Sequence, residues 1–150
     1  MTPVSDLTDH TGFWMRMVSN AVSQEFARKV AAEGVTVAEW SFMRALYDQG
    51  PMPPSVLAQR MGLTRGAVSK LADRLLGKGL IARTENPEDK RGHRLALTAE
   101  GRFKVPVLAA LADANDAAYF GVLSKSEHHT LNRLLKALAE RRGLKTIPLD

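Results

Sequence analysis

Arg65, Ser69, Lys70 and Arg74 fall within ten residues of one another, and Asp89, Lys90, Arg91 and Arg94 fall within six, fifteen residues further on. A guanidinium presents a planar fork of donors that matches guanine O6 and N7, or two phosphate oxygens, while an ammonium is a point charge suited to one phosphate. The first group sits in LTRGAVSKLADRLLGKGL, where the residues after Thr64 and Arg65 are small: Gly66, Ala67 and Ser69. A major groove is about 12 Å wide, and a helix enters it only if its leading side chains do not hold the backbone away. Gly66 lowers helix propensity by about 1 kcal/mol relative to Ala, a cost that close approach to a base edge or phosphate explains. Arg65 therefore reads as a base-edge candidate, Ser69 as a contact to a base edge or a phosphate, and Lys70 and Arg74 as phosphate contacts.

The charge distribution agrees. The chain of 150 residues has a formal net charge of +5. Residues 51–104 hold 11 Lys and Arg against 5 Asp and Glu, a net of +6, which leaves −1 for the remainder. A basic segment between nearly neutral flanks is the footprint of a phosphate-facing module. A merely solvated basic surface would carry the same charge; the order of the elements separates the two readings.

Catalysis finds little support. There is no Cys, and His10, His93, His128 and His129 form no H-x-x-x-H pair. His128 and His129 are adjacent and so point to different faces of a helix. We expect no enzyme activity, no cofactor and no metal site. RNA binding is a weaker rival, because aromatic residues make up only 6% of the chain and most fall on expected core faces. No apolar run approaches the roughly 20 residues of a membrane helix, and the N-terminus carries no signal-peptide pattern, so a cytoplasmic protein is expected.

The elements that must position these residues follow from period and punctuation. A helix is expected from Leu7 to about Ala32, with Phe13, Met17, Ala21, Val22 and Phe26 recurring at spacings of three to five and Gly34 as its stop. Thr36 and Glu39 form a capping box for a helix carrying Trp40, Met43 and Leu46, which ends near Gly50. Gly50-Pro-Met-Pro-Pro54 breaks the chain before a short helix, Ser55–Met61, with Val56, Leu57 and Met61 inward. After the Gly62-Leu63 turn, Thr64 caps a helix whose core stripe is Val68, Leu71 and Leu75. Two short strands, Leu80–Glu85 and Arg94–Thr98, flank a long polar tip, with Asn86-Pro87 setting the bend and Gly92 letting the chain return. A long helix starts at Thr98 and is bent, or started late, by Pro106. Ser124 and Glu127 cap a last helix bearing Leu131, Leu134, Leu135 and Leu138, followed by a loose tail after Gly143. The fold class is mainly α with a small β-hairpin wing: a winged helix-turn-helix plus long terminal helices.

The segment LAQRMGLTRGAVSKLADRLLGKGLIARTENPEDKRGHRLALTAEGR, Leu57 to Arg102, strongly resembles the MarR family of winged-helix transcriptional regulators. VTVAEWSFMRAL is similar to that family's second helix, and a weaker pattern covers the terminal helices. The resemblance implies a homodimer, with residues 1–35 and 99–150 as a helical dimerisation region and 36–98 as the DNA-binding winged helix-turn-helix. It implies a repressor on a pseudo-palindromic double-stranded operator, released by a small aromatic or phenolic ligand. The alternative is a winged helix for protein interaction, or a metal-responsive regulator without a phenolic effector. Asp89-Lys90-Arg91 matches the family's Asp-x-Arg wing motif, which would send Arg91 into the minor groove with Asp89 orienting it. A guanidinium at a hairpin tip is also drawn to a narrow minor groove on electrostatic grounds, with Lys90 and Arg94 on flanking phosphates. The DNA-contact set is therefore Thr64, Arg65, Gly66, Ser69, Lys70, Arg74, Asp89, Lys90, Arg91 and Arg94. The family's effector pocket lies between the dimer region and the winged helix; here Trp14, Met17, Trp40 and Met43 would line it, with Arg16 as an anion partner. Each of the four also suits plain core packing. Independently of family, two paired modules bind better than one, and the terminal helices carry more apolar surface than one winged helix can bury.

Overall fold

The computed structural model describes every residue except Met1, Pro87 and Asp150, and every side chain among these except those of Asn86, Asp89, Lys90 and Arg91. After a 3-10 turn, Leu7–Asp9, the order is α1 (Thr11–Ala31), α2 (Val37–Tyr47), α3 (Pro54–Met61), α4 (Arg65–Gly77), β1 (Ile81–Asn86), β2 (Asp89–Leu97), α5 (Ala99–Phe120) and α6 (Lys125–Arg141).

Both expected capping boxes form. Thr36 Oγ1 accepts from Glu39 N at 3.1 Å, and Glu39 Oε1 accepts from Thr36 N at 2.7 Å; Ser124 and Glu127 exchange the same pair of bonds. Each satisfies two backbone donors that a helix start leaves free. Gly34 and Gly62 take the left-handed backbone at the ends of α1 and α3. The core is built from Phe42, Met43 and Leu46 of α2, Leu57 and Met61 of α3, Val68, Leu71 and Leu75 of α4, Leu80 just before β1, and Ile81, Leu95 and Leu97 of the hairpin.

Three expectations about the hairpin, its base and α5 change. The strands are longer than their apolar runs, and β2 begins at Asp89, so it takes in much of the polar stretch, while the bend expected at Asn86-Pro87 falls on Pro87, outside the described residues. The polar stretch is mostly strand, because cross-strand pairing continues beyond the alternating apolar segment. Met52 also pairs with Leu95, through Met52 N to Leu95 O at 3.0 Å and Leu95 N to Met52 O at 2.8 Å. The Pro-rich break thus braces the base of the hairpin; its prolines flank Met52 and leave that one N–H free to pair. Finally, α5 starts at Ala99 under a Thr98 cap and contains Pro106 inside it, so no late start occurs.

Candidate nucleic-acid interface

The turn between α3 and α4 is set by Gly62, whose φ of 65° suits a residue without Cβ. Leu63 N then returns to Ala58 O at 2.9 Å, closing the end of α3. Thr64 Oγ1 accepts from Ala67 N at 3.1 Å and starts α4. Val68, Leu71, Ala72 and Leu75 are buried. At 100° per residue they occupy one side of α4, which forces Gly66, Ser69, Lys70, Asp73 and Arg74 onto the other; Arg65 stands at the N-terminal edge of that arc, and all six are exposed. Arg65, Lys70 and Arg74 have no ion-pair partner among the described residues. Asp73, the acidic member of this face, lies 3.4 Å from Arg83 on β1, so its charge is partly offset by the hairpin.

The wing has an irregularity that sequence did not show. Glu85 pairs with His93, but the next residue, Asn86, pairs with Asp89. One step on β1 therefore spans four on β2, and Lys90, Arg91 and Gly92 form an enlarged bulge. Bulges bend and twist a strand and re-aim its side chains. The side chains of Asp89, Lys90 and Arg91 lie outside the described residues. Arg94 follows the bulge and is half-buried.

The far end of α4 is anchored by a residue that sequence reasoning passed over. Lys78, just past α4, donates through Nζ to Gly34 O and to Glu39 Oε1, both at 2.8 Å. Glu39 is fully buried, and its Oε2 has no hydrogen-bond partner among the described residues. Burial pushes the Glu39 carboxyl up, but Lys78 and the Thr36 bonds outweigh it and hold the group below the ordinary carboxylate value. Lys78 is 44 residues from Gly34 in the chain, so no local pattern could have flagged it.

The five residues expected around an effector are not gathered at one cleft. Met43 is fully buried in the core, Trp14 and Met17 are half-exposed on α1, and Arg16 is exposed. Trp14 Nε1 donates to Thr8 O, which ties down the N-terminal turn. Trp40 alone of the five borders the adjoining clefts between α1 and α2. The larger, of about 460 Å³, is lined by Asn20, Ser23, Gln24, Ala27, Val37 and their neighbours. The smaller, of about 250 Å³, shares Ser23 and Val37 and adds Phe26, Trp40 and Ser41. His128 is occupied otherwise, stacked on Phe120 with centroids 5.6 Å apart.

Comparison with known proteins supplies the context. Residues 35–93 match the model of the MarR family. The HTH-type transcriptional repressor MdtR of Bacillus subtilis is 36% identical over 106 residues, covering 71% of this chain and 68% of that protein. A mutant of Escherichia coli MarR, solved in complex with operator DNA, superposes with a TM-score of 0.78 at 25% identity, covering 89% of this chain and 99% of that one. CouR from Rhodococcus jostii, solved bound to p-coumaroyl-CoA, gives a TM-score of 0.75 at 26% identity, covering 91% and 96%.

Proposed function

The chain belongs to the MarR family of DNA-binding transcriptional regulators, and from that premise we propose that it acts as a homodimeric repressor on a pseudo-palindromic operator. The observation that carries the reading is α4: a helix seated by a buried stripe, whose outward arc holds three cations without an ion-pair partner among the described residues. Residues 36–98 are the DNA-binding unit, and residues 1–35 with 99–150 form the dimerisation region. Arg65 reads a guanine edge, Thr64, Gly66 and Ser69 allow close approach, and Lys70 and Arg74 meet phosphates. In the wing, Arg91 enters the minor groove, oriented by Asp89 and flanked by Lys90 and Arg94. The name of MdtR supports the repressor sense.

Release is effected by a small aromatic ligand in the clefts between α1 and α2, where Phe26 and Trp40 offer aromatic contact. The phenolic thioester bound by CouR supports a phenolic class. The test is selection of bound duplexes from a random pool by the full-length protein. The expected outcome is an inverted repeat with half-sites centred about 10 bp apart. A pool that shows no enriched repeat overturns the proposal.

A further inference from the structure

The sequence after Gly143 suggests a loose tail; the structure seats it. Ile147 N donates to Met61 O at 3.2 Å, and Thr146 Oγ1 donates to Gly62 O at 3.1 Å. A Cβ on Gly62 would stand 2.8 Å from Lys145 O and 2.8 Å from Thr146 Cα, so the tail backbone lies directly on the turn between α3 and α4. Ile147 and Leu149 pack against the core. The same few residues reach the clefts: Leu149 lines the larger and Pro148 the smaller.

We propose that residues 145–149 are a strap that couples the α1–α2 clefts to the helix-turn-helix. At one end the strap is clipped to the carbonyls of Met61 and Gly62, immediately before α4. At the other it is a wall of the clefts. An occupant that pushes on Pro148 and Leu149 therefore pulls on the turn that starts the recognition helix. The strap has no secondary-structure ladder of its own, so it is the wall that yields at least cost. The lining also restricts the occupant. Asn20, Ser23, Gln24, Thr36 and Ser41 are neutral hydrogen-bonding groups, and no charged side chain among the described residues lines either cleft. A carboxylate would find no cation among the described lining side chains to pair with, whereas an uncharged aromatic amide or phenol needs none. The inference rests on the clefts being the effector site, and it adds the moving part and the charge of the ligand.

The test compares the full-length protein, a chain ending at Leu144, and Thr146→Val. Ending at Leu144 keeps the bond from Leu144 N to Ala139 O that closes α6. Duplex from the selected pool is titrated by fluorescence anisotropy, with 4-hydroxybenzamide or 4-hydroxybenzoate as probe. Binding of each probe is read separately from tryptophan fluorescence, since Trp40 borders the cleft. In the full-length protein the amide should weaken duplex binding at least tenfold, and the carboxylate less than twofold. The shortened chain should still bind the amide, shown by fluorescence, yet its duplex affinity should change less than twofold on adding it. Thr146→Val should give an intermediate response. Thermal unfolding of all three verifies that they are folded; if the shortened chain is not, Thr146→Val alone decides. A shortened or Thr146→Val chain released as fully as the parent overturns the strap while leaving the effector site standing. Equal or stronger release by the carboxylate overturns the neutral-ligand inference. Failure of both probes to change the fluorescence of the full-length protein overturns the effector reading itself, and the coupling with it.

Discussion

Among the described residues, sixteen of the nineteen buried hydrophobic side chains lie between Val35 and Leu97, and every exposed large hydrophobic side chain lies outside that span. The winged helix supplies most of the core, which Val30 of α1 and Val105 and Leu108 of α5 complete. The outer terminal helices bury little: α6 buries no residue and α1 only Val30. On α6, Leu131, Leu134, Leu135 and Leu138 fall within about 100° of arc, the width of one packing face, and the last three are 49%, 42% and 50% exposed. The difference separates two kinds of stability. One half is complete within a single chain, and the other presents surface that two chains would hide from water.

The sharpest break is to place charge on the open half. Leu135→Glu with Leu138→Glu should leave the winged helix folded, convert the protein to a monomer by light scattering, and lower operator affinity by about a thousandfold, the scale of lost bivalency. A double variant that still elutes as a dimer removes the lesson drawn from α6. Next come changes on the outward face of the closed half. Arg65→Ala should cost about 1–3 kcal/mol at one base position and little elsewhere. Arg91→Ala should weaken all sequences alike and flatten the salt dependence by about one phosphate contact. If both variants lose affinity uniformly, Arg65 is not a base reader.

Inside the closed half, Glu39→Gln should lower unfolding free energy by about 2 kcal/mol at neutral pH, by weakening the bond to Lys78 and the cap. Because the folded carboxyl is held below its ordinary value of 4.5, its contribution is complete above that value. It fades as pH falls through the lowered one. The gap in Tm between parent and variant should therefore narrow from pH 7 to pH 3; a constant gap contradicts the ion-pair account. The smallest effect is Thr64→Val, which removes the acceptor for Ala67 N and should cost about 1 kcal/mol in a urea titration.

What could be read from sequence divides along the same line as short and long range. The boxes at Thr36–Glu39 and Ser124–Glu127, and the stripe Val68, Leu71, Leu75, are encoded within four to eight residues and appear in the structure. The outward arc of α4 follows directly from that stripe. The pairing of Met52 with Leu95, the reach of Lys78 to Gly34 and the seating of Ile147 on Met61 join residues 43, 44 and 86 positions apart. No periodicity carries such information. The residues expected around an effector illustrate the same limit: apolar side chains on α1 and α2 look alike in sequence whether they face a core, a cleft or solvent, and Met43, Trp40 and Met17 end in three different places.

Gly101 shows how closely the two halves are joined. A Cβ there would stand 2.1 Å from Leu80 O, at the exit of α4. Thr98 fastens the same corner, with N donating to Leu80 O at 3.0 Å and Oγ1 donating to Gly79 O at 2.8 Å. The first turn of α5 and the foot of the hairpin therefore move as one body. In the proposed dimer, such a corner would act like the fixed angle of a pair of callipers. A side chain at position 101 would open or close the jaws, changing which half-site spacing fits while leaving every DNA-facing residue intact.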